Sequence, residues 1–339
     1  MSRHDATIAD GNYGNSALDL GKQRRKITIW LITGACGYIG SNLSKILHQD
    51  KIDFIALDNL STGKATRIPS SIPFFQGDIR DIKLLEDIFK EFKISKVINL
   101  AGLKSPEASF DNRSEYFEVN SQAVFSLLQV AARFNVDTFI QSSSSSVYGD
   151  SVEGILDETV APKPVSPYGE SKLLAERHVE HFIKLGKIRG INLRYFNVVG
   201  AIDSSLKDQS LFNLFPKTLN RIKSGLPPII YGDDYPTPDG TCIRDYVHVA
   251  DLANVHILAA TAIARLKDVS VLNVGLGKGN SVKQIIELFI DYLESDLNPE
   301  YAPRRQGDPA VVVAGTNLFR KLFDFPFKFE VSEMVRSSL

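Results

Sequence analysis

The sequence predicts an α/β protein: a doubly wound parallel sheet with a smaller C-terminal α/β lobe. Three observations carry this. From residue 27 to about residue 200, continuous apolar runs alternate with stretches of helical spacing. The first of those runs ends in glycine and feeds directly into a helical stretch. Beyond about residue 200 the alternation loosens into Pro-, Gly- and Asp-rich loops with brief returns to strand and helix. Alternation of this kind places crossover helices on both faces of a sheet, which makes the sheet parallel and buried.

In chain order, the leader MSRHDATIADGNYGNSALDLGKQRRK (1–26) is polar and aperiodic and lacks the apolar stretch of a secretory signal. We expect a mobile tail, its basic end (Lys22, Arg24, Arg25, Lys26) a solvated stub rather than an interaction patch. ITIWLITG is then a buried strand, and YIGSNLSKILHQD carries Ile39, Leu43, Ile46 and Leu47 at helical spacing. FIALD, IPFFQGD, KVINLAG, TFIQSSS and GINLRYFN read as further strands. DIKLLEDIFKEF and SEYFEVNSQAVFSLLQVAARF read as helices among them. SGLPPIIYGDDYPTPDGTCIRDYVH is loop and short strand, VLNVGLGKGN strand and turn, and SVKQIIELFIDYL helix, which makes a second lobe threaded into the first.

A chain of 339 residues, 43% hydrophobic, has ample material for one large or two small domains of about 100–200 residues. A net charge of −1 offers no field to draw nucleic acid or an acidic membrane, so neither is expected as a partner. No apolar run approaches the roughly 20 residues of a membrane span. Cys36 and Cys242 form no CxxC and no disulfide framework, so a reducing cytoplasm is the expected compartment.

The first strand runs into TGACGYIG, with Gly34, Gly37 and Gly40 spaced GxxGxxG. Small residues let the backbone turn tightly and approach a pyrophosphate, while the next helix aims its free N–H groups at the phosphates. Asp58 closes the second strand about 20 residues on, where a carboxylate accepts from adenosine ribose hydroxyls and repels a 2′-phosphate. A Rossmann-type dinucleotide site with NAD follows; Lys64 and Arg67 nearby keep NADP as the lesser alternative. Asp78 in GDIRD and Ala101 and Gly102 in LAG stand at later strand ends, on the adenine and nicotinamide sides of the same cleft.

SPYGESK (166–172) sets Tyr168 and Lys172 one helical turn apart, just after Pro167. Free tyrosine, with a pKa of about 10, is too weak an acid to serve as a base at neutral pH. A nearby lysine cation, and an oxidised nicotinamide ring, favour the phenolate. Tyr168 would then take a proton from a sugar hydroxyl while hydride leaves its carbon for NAD. One serine of FIQSSSSSVYG would hold that oxygen, and Ser144 is the choice. An exposed helix start with an idle Tyr–Lys pair is the alternative.

With these motifs, TGACGYIGSNL, ALDNLSTG, QGDIRD, NLAGLK, SSSSSVYGD, SPYGESK, LRYFNVVGA, YGDDYPTPDGTCIRDYVHVADLA and APRRQGDPA, spread over residues 27 to about 315, the chain resembles the extended short-chain dehydrogenases/reductases. The likeness is strongest to their nucleotide-sugar 4-epimerases. It implies a catalytic set of Ser144, Tyr168 and Lys172, with Lys172 also bridging the nicotinamide ribose. Implied cofactor contacts are Gly34, Gly37, Tyr38, Ile39, Gly40, Asp58, Asn59, Asp78, Ile79, Leu100, Ala101, Gly102, Lys104, Asn120, Tyr168, Lys172 and Tyr195. Implied substrate contacts are Lys104, Ser144, Tyr168, Asn197, Asn213, Leu214, Tyr231, Arg244, Arg305 and Asp308. Among these Tyr231 would stack on uracil, Arg244 and Arg305 clamp the diphosphate and Asp308 hold the uridine ribose. From the residues alone, Arg244–Asp245 or Arg304–Asp308 reads equally well as an internal salt bridge.

The resemblance further implies an NAD-binding domain over 27–200 with a return segment near 243–275, and a nucleotide-sugar lobe over 201–242 and 276–339. The implied activity is 4-epimerisation of a UDP-hexose (glucose/galactose, or the N-acetylated pair) through a 4-keto intermediate, by a homodimer joined through 115–134 and the helix starting at Tyr168. No metal is expected: His178 and His181 lack a third ligand, Cys36 reads as a packed small side chain, and Asp157 and Glu158 as loop acids. Three departures stand out. Val198 replaces a proline usual after RYFN, Val312 stands where some relatives carry a bulky tyrosine against the sugar, and KFEVSEMVRSSL stops early, which would trim the last helix. The rival functions are a 4,6-dehydratase, a UDP-pentose or uronate epimerase, and a non-catalytic NAD-binding scaffold. A dehydratase needs an acidic pair where this chain has Ser145 and Ser146, and a scaffold needs no Ser144, Tyr168 and Lys172 together.

Overall fold

The computed structural model describes residues 29–150, 154–266, 268–305 and 308–339; the leader and the basic stub assigned to it lie outside these residues. The first part of the chain runs β1 (Ile29–Thr33), α1 (Tyr38–Gln49), β2 (Phe54–Asp58), β3 (Phe74–Gln76), α2 (Ile82–Glu91), β4 (Ile94–Asn99), α3 (Arg113–Phe117), α4 (Ala123–Arg133), β5 (Thr138–Ser144), β6 (Gly154–Leu156), α5 (Pro167–Lys184) and β7 (Arg189–Tyr195). The remainder runs β8 (Asn197–Val199), α6 (Leu214–Lys223), β9 (Ile229–Tyr231), β10 (Ile243–His248), α7 (Val249–Ala262), β11 (Val271–Val274), β12 (Gly279–Ser281), α8 (Val282–Tyr292), β13 (Glu300–Ala302), β14 (Val311–Ala314), α9 (Asn317–Leu322) and α10 (Val331–Ser338).

Seven strands in the order β11-β7-β5-β4-β1-β2-β3 make one sheet, and every pairing in it is parallel. The sheet forms because successive residues of each strand serve opposite faces. Trp30, Ile32, Phe54, Ala56, Ile140 and Leu193 pack under α1 and α7. Leu31, Ile55, Leu57, Val97 and Phe139 pack under α2, α4 and α5. Each such Leu, Ile or Phe taken from water contributes about 1.5–3 kcal/mol, so the two-sided apolar runs are what make the sheet central. The order of strands reverses between β1 and β4, which opens a crevice at their carboxyl ends.

The second lobe holds a mixed sheet, β12-β10-β14-β6 with β8 on β10, and the pair β13-β9. Its core is Phe215, Tyr246, Ile285, Phe289, Met334 and Val335, from α6, β10, α8 and α10. One expectation needs correction. Residues 243–248 do not return to the first sheet; β10 lies in the second, and the return is made by α7 and β11. The last residues form α10, whose Met334 and Val335 are fully buried. The stretch 113–133 is also interrupted: a π turn over Glu118–Gln122 separates α3 from α4. No helix among the described residues is long and apolar enough to cross a membrane.

Candidate active site

Gly34, Gly37 and Gly40 shape the turn from β1 into α1. Gly34 has φ +66°, and a Cβ there would stand 2.6 Å from the Ala101 nitrogen; a Cβ on Gly40 would stand 2.1 Å from the Gly34 oxygen. At Gly37 an added Cβ meets only the Gly34 oxygen, at 3.3 Å, so the backbone here is open to a ligand. Gly37 is also the N-cap of α1, without a side-chain cap and without an acid in the first turn. The first N–H groups of α1 therefore stay available for an anion. Asp58 ends β2 with its carboxylate accepting from the N–H of Cys36 at 2.9 Å and of Leu60 at 2.7 Å. Leu60 takes a left-handed φ of 60° at this corner. Each Asp58 oxygen keeps a lone pair for a hydroxyl. Asp78 is bound by Arg80 and by the Asn59 amide and is held down at about 2.

These residues line a cavity of about 300 Å³ that runs from Asp58, Asn59, Asp78 and Ile79 past the glycine turn to Tyr168 and Lys172. All the expected cofactor residues line it except Asn120. Asn120 sits in the π turn, fully buried, and grips the next loop: its Oδ1 accepts from the Leu103 N–H at 2.8 Å and its Nδ2 donates to the Leu103 carbonyl at 3.0 Å. It holds the wall rather than forming it. The donor set, the open glycine and the free helix end together fit a dinucleotide with a diol at Asp58.

The serine run sorts itself by partner. Ser142 receives Lys172 Nζ at its carbonyl (3.1 Å) and its hydroxyl (3.2 Å). Ser143 donates to Glu176, which is itself clasped by Nε and Nη2 of Arg194 at 2.9 and 2.6 Å. Ser144 ends β5 and is only partly buried; its Oγ contacts the Ser146 N–H and hydroxyl at 3.2 Å. Tyr168 and Lys172 come from the first turns of α5, which Ser166 caps by accepting from the Gly169 N–H. The Lys172 ammonium stands 6.0 Å from the Tyr168 ring centroid. Burial raises the Tyr168 phenol above its ordinary value, opposed by hydrogen bonding from Ser144. Burial brings Lys172 down to about 8, opposed by the Glu176 charge. Desolvation is the largest influence on the Tyr168 phenol, and the Lys172 ammonium is directed at Ser142.

A second cavity, about 500 Å³, is lined by Lys104, Ser144, Tyr168, Asn197, Asn213, Leu214, Tyr231, Arg244, Arg305 and Asp308, every expected substrate contact. Its cations are paired differently from the internal salt bridges that the residues alone allowed. Arg244 binds Asp308 at 3.1 Å, whereas Asp245 accepts from the backbone N–H groups of Leu276, Gly277 and Ala314, and Arg304 pairs with Asp234. The Arg305 guanidinium lies 4.3 Å over the Tyr231 ring. Six residues, Tyr38, Ile39, Lys104, Ser143, Tyr168 and Tyr195, line both cavities, so the two spaces meet at Tyr168.

Several lining residues escaped the sequence reading. Ser61 and Thr62 line the first cavity, directly after the Asp58 corner. Lys217 lines the second; its Nζ donates to the Tyr231 hydroxyl at 3.0 Å, and its place one turn after Asn213 on α6 was the available signal. His178 instead pairs with Ser121, Glu158 accepts from the Asn273 N–H, and burial pushes the Cys36 thiol up to about 12, away from nucleophile behaviour.

Comparison with known proteins agrees with this geometry. The model of the NAD dependent epimerase/dehydratase family matches residues 30–275. A UDP-glucose 4-epimerase from Azospirillum brasilense is 33% identical over 91% of this chain and 90% of its own. The crystal structure of a UDP-glucose-4-epimerase from Stenotrophomonas maltophila with bound NAD and formylated UDP-arabinopyranose superposes with a TM-score of 0.87 at 31% identity, covering 92% of this chain and 96% of that one. A UDP-Glc/GlcNAc 4-epimerase from Campylobacter jejuni gives a TM-score of 0.81 at 31% identity, covering 92% and 98%.

Proposed function

The chain belongs to the NAD dependent epimerase/dehydratase family, and on that premise we propose that its joined cavities carry out NAD-dependent 4-epimerisation of a UDP-hexose. The observation that carries this is the meeting of a glycine-cornered dinucleotide cavity and a cation-lined second cavity at Tyr168. The enzyme is an isomerase: the sugar is oxidised at C4 and reduced again at the opposite face, with no net redox change.

The glycine turn, Asp58, Lys172 and the walls at Asp78 and Ala101 would hold NAD, which when bound would supply the hydride acceptor and donor. Tyr168 removes the proton from the C4 hydroxyl and returns it; Ser144 hydrogen-bonds that oxygen so that it stays in line. Lys172, pinned on Ser142, keeps its cation within reach of the developing phenolate. Arg244, Arg305 and the N-terminus of α6 at Asn213 and Leu214 hold the diphosphate. Tyr231 offers a ring face to uracil, and Asp308 takes the uridine ribose. Anchoring the nucleotide while leaving the hexose loosely held lets the 4-keto sugar turn over between the two hydride steps.

Two further elements belong to the proposal. Val312 lines the second cavity, and its small side chain leaves room for an N-acetyl group, which supports UDP-GlcNAc/UDP-GalNAc as a second substrate pair. The assembly is a cytoplasmic homodimer through α4 and α5, where Phe125 and His178 present adjoining half-buried rings 5.1 Å apart. The test is incubation of purified protein and NAD with UDP-glucose, UDP-GlcNAc and a UDP-pentose, resolving products by chromatography. UDP-galactose from UDP-glucose is expected. No product with any sugar, and no absorbance in the reduced-nicotinamide band, would identify a binding scaffold; a dehydrated keto product would identify the dehydratase.

A further inference from the structure

Tyr195 closes β7 directly opposite Ser144 in the register of β5 and β7, and its ring is part of the wall shared by both cavities. Its hydroxyl is buried under α7, where it meets Nε2 of His256 in a short hydrogen bond, with the rings edge to face at 5.3 Å. His256 is fully buried on a helix face otherwise made there of Leu252, Ala253, Val255 and Ala259. No sequence motif marked it.

The direction of the bond follows from the other nitrogen. Nδ1 of His256 lies 2.8 Å from the Leu252 carbonyl, which can only accept, so Nδ1 carries the proton. Nε2 is then a lone pair, and the Tyr195 O–H is the donor. Burial holds the imidazole at about 4, so it stays neutral at physiological pH. A phenylalanine at 195 would fill the ring's space but leave Nε2 orphaned, so the pairing specifies tyrosine for geometry rather than for volume.

We propose that His256 is a positioning residue for the epimerisation: by accepting the Tyr195 hydroxyl it fixes that ring, and the end of β7 beside Ser144, as a rigid wall where the sugar C4 meets the cofactor. The proposal rests on the function stated above. Misplacement at such a junction acts on the reacting geometry far more than on nucleotide binding, because the UDP contacts lie elsewhere in the second cavity.

The test is a cycle of His256→Phe, Tyr195→Phe and the double variant, with His256→Gln as the conservative replacement, on the full chain with NAD. Each Phe variant is expected to lower kcat about tenfold while KM for UDP-glucose moves less than about twofold. The double variant should be no worse than the poorer single one, and His256→Gln, whose Oε1 falls near the Nε2 position, should recover most of the loss. Losses that multiply, or a His256→Phe enzyme with lowered Tm and unchanged kcat, overturn the proposal. Imidazole ¹⁵N NMR of the wild-type chain reads the pair without substrate. A neutral ring protonated at Nδ1, whose Nε2 resonance moves on Tyr195→Phe, is expected, and a ring protonated at Nε2 overturns it. A wild-type chain that turns over no UDP-sugar overturns the functional reading instead, and the tautomer measurement tells the two failures apart.

Discussion

Lys172 reaches past Tyr168: its ammonium stands 6.0 Å from the phenol ring centroid and donates instead to the Ser142 carbonyl at 3.1 Å. On the proposed function that cation would serve both a nicotinamide ribose and a developing phenolate, and Tyr168→Phe would remove the proton acceptor and no residue assigned to the UDP moiety. Interconversion of UDP-glucose and UDP-galactose is expected to fall by about 10²–10⁴, with UDP affinity by titration within about threefold of wild type. Full-rate turnover by this variant would end the assignment.

The Glu176–Arg194 pair behind the serine strand has side chains 2% and 4% exposed. Removing one partner leaves a buried charge without its mate. Glu176→Ala is expected to cost about 3–5 kcal/mol in urea unfolding, and Glu176→Ala with Arg194→Met distinctly less than that single change. Because Ser143 also donates to Glu176, the single variant should loosen the strand that carries Ser144 and lower kcat as well.

Asp251 Oδ2 accepts from the N–H groups of Lys328 and Phe329, while Oδ1 is buried without a partner. Burial raises its carboxyl from 3.8 to about 6. Between those values the folded chain holds a proton that the unfolded chain has lost, so this group's contribution falls as pH rises through about 6. Asp251→Asn, neutral at every pH, should gain about 1–3 kcal/mol above pH 7 and little at pH 4. Urea midpoints at the two pH values check it; an equal gain at both would show that charge is not the cause.

Val312 lines the second cavity, so Val312→Tyr places a ring in its wall. Turnover of UDP-GlcNAc is expected to fall roughly tenfold or more against UDP-glucose, read as the ratio of kcat/KM values. An unchanged ratio would show that this wall does not face the sugar.

Much of the molecule was legible before any coordinates. The strands FIALD and TFIQSSS coincide with β2 and β5, and the helix after Pro167 begins where SPYGESK says it should. The glycine turn, Asp58 and the Tyr–Lys pair were legible for the same reason: their spacing acts within one element or one corner. Less legible were the places where local rules met a distant partner. The helical pattern over 114–134 gave no sign of the π turn that sets Asn120 against Leu103. RDYVH read as part of a return to the first sheet, yet its strand pairs with β14, β12 and β8. No local pattern singled out His256, whose partner Tyr195 lies 61 residues away in the chain.

The amino-acid order by itself determined the parallel sheet, the dinucleotide corner and the presence of a phenol and an amine on one helix face, because periodicity and turn chemistry are written in neighbouring residues. Tertiary structure alone decided how the serine run is divided, since Lys172 binds Ser142 and Glu176 binds Ser143 from another element. It also decided that Arg244 binds Asp308 rather than Asp245, and that burial is the largest influence on the Tyr168 phenol. Those outcomes turn on burial and on contacts between residues far apart in the chain, which no local pattern encodes.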